Sequence, residues 1–311
     1  MVKYVLKRLI FLIPIVVGIA FIIFTIMNLT PGDPARFILG PDATAEACEQ
    51  LTEELGLNRP FFVRFFDYVY KAATQLDFGN SYRTQKPVFD EIFTRFPVSL
   101  KLSMVSIGFA VLVGIPLGVF SAVHQYSIPD QLLRIGSMFF VAMPPFWFAM
   151  MLILVFALNL HWAPTSGNAT WQCYILPMIT LGMPYGGKIL RITRSTMLEV
   201  IRQDYITTAK AKGVPQNKII YGHALKNALL PVITTVATSF GGLLGGAIIT
   251  ESVFNMSGLG SLIVLSIKLK DTPTVMASII LLAVMFTIIM LIVDLVYAFI
   301  DPRIKAKYAR G

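Results

Sequence analysis

Long runs of uncharged, mostly apolar residues constrain this chain of 311 residues more than any other feature. The first run lies between Arg8 and Asp33, and its segment Leu9–Leu29 is apolar. A helix needs about 20 such residues to cross the hydrocarbon core of a bilayer. The run is too long for a cleavable signal sequence, and no small-residue cleavage site follows it. It therefore predicts a retained transmembrane helix.

Five further apolar segments follow, and the sequence predicts six spans. These are residues 9–29, 98–124, 132–160, 174–195, 229–251 and 272–300. The third contains Pro144-Pro145, which removes two backbone donors and predicts a break in the helix. The fourth contains two prolines, and Lys188 and Arg191 lie near its end. Glycines in the second and fifth spans predict close helix packing.

The composition agrees with a membrane protein. Hydrophobic residues make up 56% of the chain and charged residues 14%, against about 45–50% and about 25% in soluble domains. This balance argues against an ordinary cytosolic enzyme or a disordered tail. The net charge of +9 would suggest a nucleic-acid partner in a soluble protein. In a membrane protein the position of the charge indicates topology instead.

The loop charges predict the orientation. The N-terminal tail carries +3, residues 188–228 carry +6 and residues 301–311 carry +3, whereas residues 30–97 carry −3. Cytoplasmic loops are enriched in Lys and Arg. We therefore predict an all-α integral membrane protein with six transmembrane helices and both termini in the cytoplasm. Residues 30–97 form a large extracytoplasmic "outer loop" and residues 196–228 a cytoplasmic "inner loop".

The outer loop has the composition of a folded segment. Glu46–Leu55 predicts a helix that ends at Gly56. Arg59–Gln75 predicts a second helix with one aromatic face, a pattern that fits a helix lying on the membrane surface. Two interpretations stay open: a lid over the outer ends of the spans, or a surface that binds a partner. Cys48 and Cys173 both fall in loops predicted outside, which leaves a disulfide between them open, but two free thiols are expected because two cysteines make no disulfide framework.

The inner loop is the most informative segment. Met197–Lys212 predicts one helix, which Gly213 stops, and Pro215 opens a second short helix. The basic residues leave open an interfacial helix that binds anionic lipid. The sequence contains neither a Ser-His-Asp set nor a paired carboxylate site nor a metal-ligand cluster. It predicts a protein that moves a solute rather than an enzyme.

Several strings resemble a known family. The inner loop contains Asp204-Tyr-Ile-Thr-Thr-Ala-Lys-Ala-Lys-Gly213 and His223-Ala-Leu-Lys-Asn-Ala-Leu-Leu-Pro231. Other matching strings are Lys7-Arg8-Leu9, Pro31-Gly-Asp-Pro34, Leu76-Asp-Phe-Gly79, Asp294-Leu-Val-Tyr297 and Asp301-Pro-Arg303. Together they resemble B-type permease subunits of binding-protein-dependent ABC importers, in the oligopeptide, dipeptide and nickel group. The chain departs from the family pattern at Thr207, where the motif has glutamate, and at Ser257, where it often has proline.

The resemblance implies a type I importer permease in the bacterial cytoplasmic (inner) membrane. Its implied partners are a C-type permease subunit, two ATP-binding subunits that hold ATP and magnesium, an extracytoplasmic substrate-binding protein and the lipid bilayer, with no nucleic acid. No cofactor or metal is expected on this chain. The implied substrates are di- and oligopeptides, with nickel or a metal–chelator complex as the alternative. A secondary transporter or channel that needs no ATP is the alternative of another class.

The resemblance also implies site residues. Contact with an ATPase is expected at Arg202, Asp204, Tyr205, Thr208, Ala209, Lys210, Ala211, Lys212, Gly213, His223 and Asn227. Docking of the binding protein is expected at Asp33, Arg59, Asp77 and Gly79. Catalytic residues are not expected.

Overall fold

A computed structural model describes residues 2–40 and 42–300. These residues form twelve α-helices and contain no β-strand beyond an isolated bridge between Asn80 and Pro87. The expected all-α class is therefore confirmed for the described part of the chain. The tail of residues 301–311, with its Asp301-Pro-Arg303 string, lies outside the described residues.

The described residues divide into two compact units, residues 2–98 with 257–300 and residues 99–256. The first contains α1 (Val2–Leu29), α2 (Pro34–Leu39), α3 (Ala45–Glu54), α4 (Phe61–Gln75), the start of α5 (Val88–Val123), α11 (Leu259–Lys268) and α12 (Thr272–Ile300). The second contains the rest of α5, then α6 (Ile128–Ala142), α7 (Pro145–Leu152), α8 (Ile175–Ile201), α9 (Asp204–Ala211) and α10 (Leu225–Val253).

Four of the described helices are long and apolar enough to cross a membrane. They cover Ile10–Leu29, Val88–Val123, Lys218–Val253 and Thr272–Ile292. The pair Ile128–Ala142 and Pro145–Asn159 gives a fifth candidate if its two parts form one broken span. The predicted fourth span corresponds to α8, which also carries Lys188, Arg191, Arg194 and Glu199. The count of six spans and the cytoplasmic termini stay predictions.

The expected break at Pro144-Pro145 is confirmed. The helix axis turns by 105° between α6 and the segment that begins at Pro145. Neither proline has an N–H to donate, and the residue before a proline is disfavoured in the α-helical region. Met143 accordingly adopts an extended backbone conformation as the C-cap of α6.

Glycines bring α5 and α8 into close contact, as predicted for the second span. A Cβ atom added at Gly114 would lie 2.7 Å from the carbonyl oxygen of Gly186. One added at Gly118 would lie 2.6 Å from Cβ of Thr193. The hydrogen side chain of glycine therefore sets the distance between these two backbones, as at small-residue contacts between membrane helices.

The aromatic face predicted for Arg59–Gln75 is present on α4. Phe65 is buried, and its ring centroid lies 5.3 Å from that of Phe21 and 5.6 Å from that of Phe24, both on α1. The predicted helix at Glu46–Leu55 is also confirmed: α3 ends at Glu54, and Gly56 follows with a φ of 65°. One side of α4 thus packs on the first helix. Exposed aromatics remain on α4 at Phe62, Phe66 and Tyr70.

The prediction of two short helices in the inner loop is wrong in two places. The helix expected over Met197–Lys212 is interrupted at Arg202-Gln203, so its first residues belong to α8 and the rest form α9. The second expected helix is not separate, because a π-helical segment at Lys218–Ala224 leads directly into α10. The interruption at Arg202-Gln203 was not predictable from glycine or proline, since neither residue type lies there.

Candidate functional site: the inner loop

The turn after α9 is closed by backbone hydrogen bonds. The N–H of Gly213 donates to the carbonyl of Lys210 at 3.0 Å, and that of Val214 donates to Ala209 at 3.2 Å. This pair of bonds defines a Schellman motif, which requires a left-handed residue at the first position beyond the C-cap. Gly213 fills that position with a φ of 75°. The predicted stop at Gly213 is therefore confirmed, with its physical reason.

A buried apolar cluster fixes α9 against three other helical segments of its unit. Ile206 is fully buried and packs with Val119 of α5, Met197 of α8 and Ala224 of the π-helical segment. Ala209 and Val214 pack against the edge of the same cluster. Burying a side chain such as Ile contributes about 1.5–3 kcal/mol. A helix of eight residues is too short to be stable alone, so this packing determines its position.

A hydrogen bond joins the two halves of the inner loop. The side-chain amide of Asn227 donates to the hydroxyl of Tyr205 at 2.8 Å and to the backbone carbonyl of His223 at 3.1 Å. Tyr205 lies on α9, whereas Asn227 lies in the first turn of α10. The structure therefore brings together three residues that the resemblance assigned to one site.

The opposite side of the inner loop is exposed. All of the predicted ATPase-contact residues except Ala209, which is half-buried, are exposed: Arg202, Asp204, Tyr205, Thr208, Lys210, Ala211, Lys212, Gly213, His223 and Asn227. Lys218, Tyr221 and Lys226 extend this surface beyond the predicted set. The result is a basic surface that includes the exposed Tyr205 and Tyr221 and rests on the buried apolar cluster around Ile206.

A charge pair beside the loop was missed in the sequence. Asp130 is fully buried at the start of α6, and its carboxylate accepts hydrogen bonds from the guanidinium of Arg194 at 2.7 and 2.9 Å. The hydroxyl of Ser121 and the backbone N–H of Tyr126 donate to the same carboxylate. Its four bonds connect α5, α6 and α8 near the base of the inner loop. Two opposite charges far apart in the sequence give no local signal for such a contact.

The outer-loop residues are brought together only in part. Arg59, Asp77 and Gly79 line one cavity of about 430 Å³, where Asp77 accepts a hydrogen bond from the N–H of Gly79 at 2.8 Å. Burial raises the pKa of Tyr82, in the lining of that cavity, to about 12. Asp33 lines a different depression and caps α2 by accepting from the N–H of Ala35 at 2.9 Å.

Two further expectations concern sulfur and metal ligands. Cys48 and Cys173 are free thiols, as expected. Within residues 2–40 and 42–300, no three His, Cys, Asp or Glu side chains are grouped so that they could hold a metal ion.

Comparison with known proteins decides the family. Residues 114–306 match the family described as "Binding-protein-dependent transport system inner membrane component", and residues 1–103 match its N-terminal companion family. The chain belongs to this family. It is a permease subunit of an ABC importer, a multi-pass protein of the bacterial inner membrane, and not the ATPase, which is a separate subunit in these systems.

Full-length relatives agree with this assignment. The "Glutathione transport system permease protein GsiC" of Escherichia coli (strain K12) is 41% identical over 307 residues, covering 99% of this chain and 100% of the relative. The protein of the same name from Salmonella typhimurium (strain LT2) has the same identity and coverage. The predicted resemblance to the peptide and nickel group is therefore confirmed.

Solved structures confirm the expected fold. A chain from the inward-facing MetNI methionine ABC transporter matches with a TM-score of 0.58 and 17% identity, over 68% of this chain and 96% of that chain. A second crystal form of the same transporter gives a TM-score of 0.57. The chain therefore has the type I importer permease fold that the resemblance implied.

Proposed function

We propose that this permease imports di- and oligopeptides, including tripeptides such as glutathione, and that α9 is the contact through which an ATPase subunit drives it. The observation that carries the second part is the exposed face of α9, which is backed by the buried side chain of Ile206. The first part is supported by the full-length identity of 41% to proteins named as glutathione permeases.

The packing of α9 suits it to transmit force. Ile206 shares one buried cluster with residues at the ends of α5 and α8 and in the segment that leads into α10, so a displacement of α9 would reach three long helices through that cluster. The Schellman turn fixes the end of α9, and the Tyr205–Asn227 hydrogen bond links α9 to the first turn of α10. Close-packed interiors transmit displacements because they resist compression. A flexible linker in the same position would absorb the motion.

The remaining parts of the importer belong to other chains in this proposal. A C-type permease completes the pathway, two ATPase subunits bind ATP and magnesium, and a binding protein delivers substrate to the outer loop. This chain itself holds neither nucleotide nor metal. ATP-driven closure of the ATPase pair would shift the helices of the permease pair between inward-open and outward-open states.

Transport by the purified complex in proteoliposomes tests the proposal. The complex is reconstituted with its binding protein outside and ATP or a non-hydrolysable analogue inside, and uptake of labelled glutathione, a dipeptide and Ni²⁺ is measured. We expect peptide uptake only with ATP. Uptake of Ni²⁺ without peptide uptake would favour the metal alternative, and uptake that persists with the analogue would indicate a secondary transporter.

A further inference from the structure

Two consecutive residues before α12 hold two separate segments of the outer loop. The ammonium of Lys270 donates hydrogen bonds to the carbonyl oxygens of Thr30 and Gly32, the latter at 3.0 Å. The carboxylate of Asp271 accepts from the hydroxyl of Ser81 at 2.5 Å and from the N–H of Tyr82 at 3.1 Å. The first segment overlaps the start of the Pro31-Gly-Asp-Pro34 string. The second directly follows the Leu76-Asp-Phe-Gly79 string.

These contacts lie in the interior of their unit. Lys270, Asp271 and Ser81 have relative exposures of 5%, 1% and 0%. Burial lowers the pKa of Lys270, while the negative charge of Asp33 opposes that effect. Buried charged groups are stable only where hydrogen bonds and opposite charge compensate for lost hydration. The two carbonyls and the three donors around Asp271, which include the hydroxyl of Thr274 at 2.8 Å, supply that compensation.

The backbone at Lys270 indicates that its side chain has a role. The N–H of Lys270 donates to Ile267 and that of Asp271 donates to Ser266, which forms a Schellman motif at the end of α11. Lys270 occupies the left-handed position of that motif with a φ of 53°, a position that usually holds glycine. The equivalent position after α9 is Gly213. A lysine at such a position is strained, and strain of this kind suggests a functional constraint.

The second segment is itself a fixed loop. Ser81 exchanges backbone hydrogen bonds with Lys86 and Gln85 at 2.9 Å, and the N–H of Val88 donates to Gly79 at 3.0 Å. This closed loop leads directly into α5. Asp271 therefore holds a compact element rather than a flexible chain. The same two-residue link joins that element and the 30–32 segment to the first turn of α12.

We propose that Lys270 and Asp271 are positioning residues that fix segments 30–32 and 79–82 to the start of α12, so that the outer-loop surface and α12 move as one body when the binding protein docks. The proposal rests on the proposed function, in which the outer loop receives the binding protein. In this proposal, two residues outside the outer loop hold its surface in position and transmit the docking of the binding protein to α12.

Binding-protein-stimulated ATP hydrolysis by the reconstituted complex tests this role. Lys270→Gly relieves the backbone strain while removing the ammonium, and Asp271→Asn keeps the shape while removing the charge. We expect each to raise the binding-protein concentration for half-maximal stimulation about tenfold, the change that follows the loss of a hydrogen bond to a charged group. Hydrolysis without binding protein should stay unchanged. The conservative variant Lys270→Arg keeps the positive charge and should retain the wild-type response.

A matched control comes from the same unit. Lys268→Met removes the same charge from an exposed side chain at the end of α11, outside the outer loop, and should leave stimulation unchanged. Wild-type stimulation curves for both Lys270→Gly and Asp271→Asn would overturn the proposal. A wild-type complex that binds no ATPase, or shows no stimulation, would instead contradict the proposed function.

A reversible crosslink separates positioning from folding. Ser81→Cys and Asp271→Cys are combined with Cys48→Ser and Cys173→Ser, and a disulfide is formed with copper phenanthroline. We expect strong stimulation in the oxidised protein and an approximately tenfold weaker response after reduction, as for the single variants. Equal responses in the two states of one sample, or failure of the disulfide to form, would refute the positioning role.

Discussion

The guanidinium of Arg194 forms two parallel hydrogen bonds with the carboxylate of Asp130, at 2.7 and 2.9 Å. Such fork-shaped contacts are geometrically specific as well as strong. The carboxylate also accepts from Ser121 at the end of α5, so one buried side chain connects three helices. The inner loop, residues 196–228, begins within α8 two residues after Arg194. The pair therefore fixes the base on which α9 rests.

Loss of one partner from this pair should destabilise the protein strongly. Arg194→Met leaves the Asp130 carboxylate buried without its main counter-charge, which costs about 3–5 kcal/mol. We expect a clear fall in the thermal unfolding temperature of the detergent-solubilised protein. Arg134→Met removes the same charge from an exposed side chain of α6 and serves as the control. Equal unfolding temperatures for the two variants would show that the pair does not stabilise the fold.

The close approach of α5 and α8 predicts that alanine substitution costs different amounts of stability at two glycines of α5. Gly118→Ala would place a methyl group 2.6 Å from Cβ of Thr193, and overpacking of this kind costs about 1–3 kcal/mol. Gly108→Ala meets no atom within 4 Å and should cost nothing. Thermal unfolding of both variants measures the difference. A Gly118→Ala protein as stable as Gly108→Ala would contradict the close contact.

The packing of α9 predicts that a charge on its inner side is not tolerated. Ala209 is half-buried against the Ile206 cluster, so Ala209→Asp places a carboxylate at an apolar contact, with a cost of several kcal/mol. Thr207→Asp adds the same charge at an exposed position. We expect Ala209→Asp to remain inserted in the membrane but to lose transport. Thr207→Asp is the control for the added charge, and it should unfold at the wild-type temperature. Unchanged uptake by Ala209→Asp would argue against the cluster as the anchor of α9.

Loss of the Tyr205–Asn227 hydrogen bond should reduce transport less than Ala209→Asp does. Tyr205→Phe keeps the ring and removes the hydroxyl, so the expected loss is at most about 1 kcal/mol because both residues are exposed. Uptake per ATP hydrolysed should fall by no more than about fivefold, with the unfolding temperature nearly unchanged. Asn227→Ala should produce the same loss, and the double variant should add little to it. Additive losses would indicate that the two side chains act independently.

Much of the fold follows from local sequence signals. The break at Pro144-Pro145, the end of α3 before Gly56 and the stop at Gly213 each depend on one residue type with restricted backbone chemistry, and each occurs where predicted. The apolar runs predict four of the long helices, because a helix that crosses lipid requires a continuous apolar stretch.

The remaining features depend on contacts between distant residues. The interruption at Arg202-Gln203 carries neither glycine nor proline, and the burial of Ile206 under α5 and α8 explains it better than local propensity does. The Lys270 turn was missed because lysine stands where glycine is usual. The family motif picks out inner-loop residues that the structure leaves mostly exposed, but motif spacing carries no information on the Asp130–Arg194 pair beside them.

Co-purification of the ATPase subunits with this permease tests the central claim most directly. The wild-type complex is compared with Lys210→Glu/Lys212→Glu, which reverses two exposed charges at the end of α9, and with Lys71→Glu/Lys86→Glu in the outer loop as a control. Our account predicts that the wild type and the control retain two nucleotide-binding subunits for each permease pair, and that the α9 variant is folded but loses them. Full retention of both ATPase subunits by the α9 variant, with normal uptake, would contradict it.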